Sequence, residues 1–168
     1  REVYLELSGL EERCEAIIAL RVRGAPASGI FAGYGVYVLA RQLPEGGAAE
    51  ENLAVLSGRA GRLAAARPTA VNLAWAVDRM LGRARRALPQ GWHKVLAALE
   101  AECLAIHRED IAMCRAIAEY GLSLVREGDG ILTHCNAGPL ATSRYGTALG
   151  PIRLGQERGD RLLVFPYQ

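Results

Sequence analysis

Through most of this chain the apolar positions recur at the three-and-four spacing of an α-helix, and only near the two ends do they alternate or bunch as strands do. Val3 to Leu7 alternates like a short strand. Ser8-Gly9-Leu10-Glu11 has capping-box spacing for a helix reaching about Leu20, which Gly24 ends. Pro26 suits the first turn of a second helix, Ala27 to about Gln42, whose residues are apolar or small on every side and so predict burial all round. Leu43-Pro44-Glu45-Gly46-Gly47 reads as a surface loop. Glu50 to Ala66 is helical again, Arg67-Pro68 breaks it because the residue before proline avoids the α region, and Thr69 is placed to cap a helix from Ala70 to Ala87. After Pro89-Gln90-Gly91, Trp92 to Tyr120 predicts one long helix or two with a bend, closed by Gly121 in the left-handed conformation.

Beyond Gly121 the organisation changes. Gly128-Asp129-Gly130 opens a short buried strand at Ile131-Leu132-Thr133, His134 to Gly138 forms the loop leaving its carboxyl end, Ser143 to Glu157 reads as a helix, and Leu162 to Phe165 as a second strand. The expected class is therefore α/β: a mostly helical amino-terminal domain at 1–121, followed at 122–168 by the first βαβ unit of a Rossmann-like parallel sheet. Two parallel strands need neighbours and cover on both faces, so this second unit reads as incomplete. No repeat or low-complexity tract interrupts the pattern.

Composition narrows the function classes. Of the 168 residues 51% are hydrophobic and 23% charged, enough to bury a core. A net charge of +2 is no nucleic-acid footprint. Apolar runs are broken by Arg, Glu or Gly well before the roughly 20 residues that cross a bilayer, and Arg1-Glu2-Val3-Tyr4 does not read as a signal peptide, so the expectation is a cytoplasmic protein without membrane partners. Cysteines at positions 14, 103, 114 and 135 lack CxxC spacing and predict reduced thiols.

Cys135 is the sharpest candidate, standing where an apolar strand runs out into a glycine-bearing turn. A thiol there meets unpaired backbone N–H groups and the positive end of the next helix, which favour thiolate; the competing reading is a cysteine that fills space at a strand end. Arg23 and Arg67 each stand at a break before a helix start, so guanidinium and helix N–H groups can converge on an anion, although either alone reads equally as a surface arginine. Gly29, Gly33 and Gly35 follow no strand and point to close helix packing rather than a nucleotide loop. Cys103 and His107, one turn apart with no third ligand, read as a half-buried helix face, and Cys114 as core. Arg83, Arg85 and Arg86 complement a helix end, and His134 orients or packs.

Four segments, THCNAG from Thr133, YGTALG from Tyr145, RGAPASG from Arg23 and RPTAVN from Arg67, resemble the methylthioribose-1-phosphate isomerase family, which is related to the regulatory subunits of a translation-initiation nucleotide exchange factor. The resemblance runs from about Val3 to Phe165 and covers only part of the family's length. It implies an aldose–ketose isomerase of methionine salvage that converts 5-methylthioribose 1-phosphate to 5-methylthioribulose 1-phosphate, acting as a homodimer with no metal or nucleotide cofactor. It assigns Cys135 as acid/base beside an aspartate from the later half, and Arg23, Arg67 and the Gly24-Ala25 backbone to the substrate phosphate. Phosphate on the anomeric oxygen blocks ordinary opening to an aldehyde, leaving enediol-type proton transfer and hydride shift both open. Ser28 departs from the motif, where an aliphatic residue is commoner. Ribose 1,5-bisphosphate isomerase and a non-catalytic regulatory subunit are the alternatives. Because family members continue beyond Gln168, the expectation is a truncated gene, a cleaved chain or one piece of a two-chain protein, lacking a carboxy-terminal fragment and inactive alone.

Overall fold

In the computed structural model, which describes residues 3–126, 128–160 and 162–167, the order is α1 (Leu10–Ile18), α2 (Ala25–Arg41), α3 (Ala49–Ala65), α4 (Val71–Ala87), α5 (Trp92–Ser123), β1 (Gly130–His134), α6 (Gly150–Arg158) and β2 (Leu163–Tyr167). Single 3-10 turns lie at Leu88–Gln90 and Pro139–Ala141. The expected class holds: a helical stretch leads into two parallel strands joined through a helix, the opening of a Rossmann-like sheet. The chain divides into two compact units, the first of Arg1–Val22 with Ser28–Ala105 and the second of Arg23–Ala27 with Ile106–Gln168. This packing boundary falls inside α5, whereas the sequence pattern changes at Gly121. Residues 1, 2, 127, 161 and 168 of the expected stretches 1–121 and 122–168 lie outside the described residues. Among the described residues no helix is long and apolar enough to cross a membrane.

In the first unit the helical periodicity becomes burial. The α4 stripe Leu73, Ala76, Val77, Met80, Leu81 and Ala84 is buried, as are Leu56, Ala60 and Leu63 of α3; each large side chain among them contributes about 1.5–3 kcal/mol. No residue of α2 from Ser28 to Ala40 is exposed, as its all-round apolar pattern predicts. Its glycines make close packing possible: a Cβ on Gly29 would lie 3.0 Å from the Asn72 carbonyl oxygen, and one on Gly35 3.2 Å from Leu63 Cδ2. Glu102 ties α5 to α4, accepting from Arg79 Nε at 2.6 Å with Arg83 Nε at 3.5 Å.

Several local expectations are corrected. Val3 to Leu7 is irregular and largely exposed, because alternation alone satisfies no backbone groups and the described sheet holds only β1 and β2. The cap of α1 is shifted by one residue: Gly9 is the N-cap, and the Glu12 carboxylate, not Glu11, accepts from the Ser8 and Gly9 N–H groups at 2.7 and 2.9 Å. The helix stops at Ile18, before Leu20 turns left-handed at φ 56°. Ala70 rather than Thr69 precedes α4, with no side-chain cap bond.

In the second unit β1 pairs with β2 in parallel, Gly130 opposite Leu163 and His134 opposite Tyr167. The strand is not buried throughout; Thr133 is covered but Leu132 is 75% exposed, since successive residues face opposite sides of the sheet and one side lacks cover. Gly121 does not cap α5 but lies within it, and a Cβ there would collide with Pro151 of α6. Close approach, not a left-handed turn, requires that glycine. The helix expected from Ser143 begins only at Gly150, because Tyr145 and Gly146 take φ values of 65° and 94° that no α-helix accommodates.

Candidate active site

Cys135 follows the last residue of β1, where the chain leaves the sheet at its carboxyl end. It is exposed, and its φ of 69° puts a non-glycine residue in the left-handed region, at a cost of order 1 kcal/mol that surrounding structure must offset. That constraint is visible in the loop. The Ala137 carbonyl accepts from the N–H groups of Thr147 at 2.9 Å and Leu149 at 3.4 Å, which folds the segment after Cys135 back onto the approach to α6. Gly146 is where the two strands of this loop touch, and a Cβ there would overlap the Ala137 carbonyl and Gly138. The expected helix start directly behind Cys135 is therefore replaced by a 3-10 turn at Pro139–Ala141 and an irregular return to Gly150.

Arg23, Gly24 and Ala25 belong to the same unit as Cys135. Gly24, at φ 91°, packs so closely on the 3-10 turn that a Cβ would lie 2.5 Å from Ala141 Cα. Arg23 is exposed beside the positive end of α2, which begins at Ala25, an arrangement suited to a phosphate or other oxyanion. Arg67 lies in the first unit, half-buried at the break between α3 and α4, where its carbonyl accepts from the Ala70 N–H at 2.9 Å.

The remaining cysteines differ from Cys135 in kind. Burial pushes the thiols of Cys14, Cys103 and Cys114 above the ordinary cysteine value, with nearby Glu11, Glu100 and Asp110 respectively adding to the rise. Cys103 and Cys114 are buried, and Cys103 donates to the Glu100 carbonyl at 3.1 Å.

One group escaped the sequence reading. Asp110, 6% exposed, accepts from the Ser143 backbone N–H at 2.8 Å beneath the loop that follows Cys135. The signal was present, for Asp110 falls on the α5 face that also carries Cys103, Ile106, Cys114 and Ala118, where the spacing calls for an apolar residue.

Residues 21–167 match the model of the Initiation factor 2 subunit family. The chain is 51% identical over 162 residues to a methylthioribose-1-phosphate isomerase of Symbiobacterium thermophilum, an alignment covering 96% of the chain and 45% of that relative. It is 46% identical over 164 residues to a 5-deoxyribose 1-phosphate isomerase of Petrotoga mobilis, covering 98% of the chain and 47% of the relative. Among solved structures, the translation initiation factor eIF-2B subunit delta from A. fulgidus superposes with a TM-score of 0.85 at 37% identity, over 96% of this chain and 47% of that one. The 5-methylthioribose 1-phosphate isomerase from Pyrococcus horikoshii also gives 0.85, at 29% identity, over 95% and 52%. The chain thus spans about half the length of the curated relatives it matches.

Proposed function

The chain belongs to the Initiation factor 2 subunit family, and from that membership we propose that it carries the cysteine-bearing part of an aldose–ketose isomerase converting 5-methylthioribose 1-phosphate to 5-methylthioribulose 1-phosphate. The observation that carries the reading is Cys135: an exposed thiol in a left-handed conformation at the carboxyl end of a parallel strand, in one compact unit with Arg23, Gly24 and Ala25. In this reading the thiol exchanges a proton with the sugar while hydrogen passes from C2 to C1. The Arg23 guanidinium and the Gly24-Ala25 backbone hold the phosphate, and the carboxy-terminal half of the isomerase fold supplies a second acid/base carboxylate. No metal or nucleotide takes part. The unbridged cysteines support a reducing, cytoplasmic setting, and the reading includes a homodimer.

A regulatory or binding subunit is the second reading, favoured by the equal TM-score of the eIF-2B delta structure. The two separate in a chimera joining this chain to the carboxy-terminal half of the Symbiobacterium relative. Turnover of 5-methylthioribose 1-phosphate is expected, exceeding that of 5-deoxyribose 1-phosphate or ribose 1,5-bisphosphate, with Cys135→Ser lowering kcat by about 100-fold or more. A Cys135→Ser chimera as fast as its parent would remove the assignment, and binding of sugar phosphate without turnover would favour the subunit reading. The 168-residue chain alone is expected to be nearly inactive.

A further inference from the structure

Asp110 is a buried carboxylate that the proposed chemistry does not use. Its Oδ2 accepts from both the backbone N–H and the hydroxyl of Ser143, at 2.8 and 2.5 Å, and the Cys114 thiol lies 3.9 Å from the same oxygen. Without it the Ser143 N–H would be a donor turned toward the buried side of α5 with no acceptor, and a charged acceptor makes the stronger bond. Two residues earlier in the chain, Ala141 is the residue against which Gly24 is packed. The segment Pro139–Ser143 is therefore held at Ser143 by Asp110 of α5 and packed at Ala141 against Gly24. Its near end is continuous with Cys135 through Ala137, whose carbonyl is itself bonded to Thr147.

We propose that Asp110 is a positioning residue: by docking Ser143 it holds the Pro139–Ser143 segment against Gly24, and so fixes the Cys135 thiol relative to the Arg23 loop. The proposal rests on the isomerase reading for its purpose, but not for its geometry. Asparagine at 110 presents an oxygen in the same place and can accept both bonds, whereas alanine leaves both Ser143 donors unsatisfied.

The experiment follows iodoacetamide alkylation of Cys135 and amide hydrogen exchange in the 168-residue chain. Asp110→Ala is expected to change the Cys135 alkylation rate about tenfold and to speed exchange across 137–149 by a similar factor, as loss of a charged hydrogen-bond acceptor implies. Asp110→Asn should restore both to within about twofold, whereas Asp110→Leu, which fills the same space without an acceptor, should behave like Asp110→Ala; a role confined to filling space requires Asp110→Leu to restore them as well. Should Asp110→Ala fail to fold, Ser143→Ala, which removes only the hydroxyl bond, is expected to change alkylation about threefold. Alkylation within twofold of the unaltered chain in both the Asp110→Ala and Ser143→Ala variants overturns the proposal, as does an Asp110→Asn chain that behaves like Asp110→Ala. A chimera indifferent to Cys135→Ser would defeat the isomerase reading while leaving these rates to stand or fall separately.

Discussion

The first unit fully buries large aliphatic side chains, Ile17, Leu39, Leu56, Leu63, Leu73 and Leu99 among them, with small residues such as Ala32, Ala60 and Ser28 between them. Among its described side chains, the second unit buries, Ile106 and Leu122 aside, small or polar groups: Cys114, Ala118, Ala137, Ala141, Asp110, Thr133 and Thr142. Exposed large apolar side chains do not distinguish the units: Ile18, Val71 and Trp75 are exposed in the first, and Tyr120, Leu124, Leu132 and Leu140 in the second. The first unit is held mainly by large apolar area packed between helices, with close approaches at Gly29 and Gly35. The second depends more on close backbone approaches at Gly24 and Gly146 and on hydrogen bonds of fixed direction, as from Ser143 to Asp110. That difference suits a division of labour in which one unit supplies stability and the other holds Cys135 in a conformation it would not choose.

Truncating the apolar core tests the first half of this contrast hardest. Leu63→Ala or Met80→Ala is expected to cost about 2–5 kcal/mol in chemical denaturation, because neighbouring helices cannot collapse into the vacated space. Cys114→Ala, removing a single sulfur in the second unit, should cost about 1 kcal/mol. Equal losses would erase the distinction.

Gly24→Ala addresses the second half. A left-handed φ of 91° and the contact with Ala141 together predict a loss of about 1–3 kcal/mol, expressed as faster amide exchange in 137–149 rather than in α3 and α4. Unchanged exchange in that loop would show that the close approach holds nothing in place.

Thiol chemistry separates Cys135 from the more covered cysteines of both units, Cys114 of its own unit included, without any substitution. In folded protein Cys135 is expected to react with iodoacetamide at least about tenfold faster than Cys14, Cys103 or Cys114, whose burial both hides them and raises their pKa. Peptide mapping at partial modification measures this, and comparable labelling of the other three would remove the case for a distinct site.

The smallest effect belongs to Glu12. Hydrogen bonds from the Gly9 and Ser8 N–H groups hold its carboxyl below the ordinary value of 4.5, so its contribution is complete above pH 4.5 and disappears as pH falls through the lowered value. An acid titration by circular dichroism should show slight extra loss of helix in the native chain relative to Glu12→Gln, which has no such titration to lose. Superimposable acid curves would mean that the cap does not stabilise α1.

How much of this was legible follows from what each feature depends on. The spans of α2, α3, α4 and α5, the burial of α2, the parallel crossover and the place of Cys135 at a strand end were all written in the sequence. A residue's neighbours three, four or two positions away decide periodicity, and those neighbours are local. What only the tertiary structure decided involves atoms brought together from distant positions. Gly24 needs Ala141, Gly121 needs Pro151, and Asp110 needs Ser143, 33 residues away. The same cause explains the errors: Val3 to Leu7 carries a strand's alternation but joins no sheet among the described residues, and Ser143 to Glu157 carries a helix's composition across a loop whose left-handed turn is demanded by contact with Ala137 and Gly138. Local pattern determines which element a segment can form; the close approach of other segments determines whether it does, and at Cys135 that approach is what shapes the site.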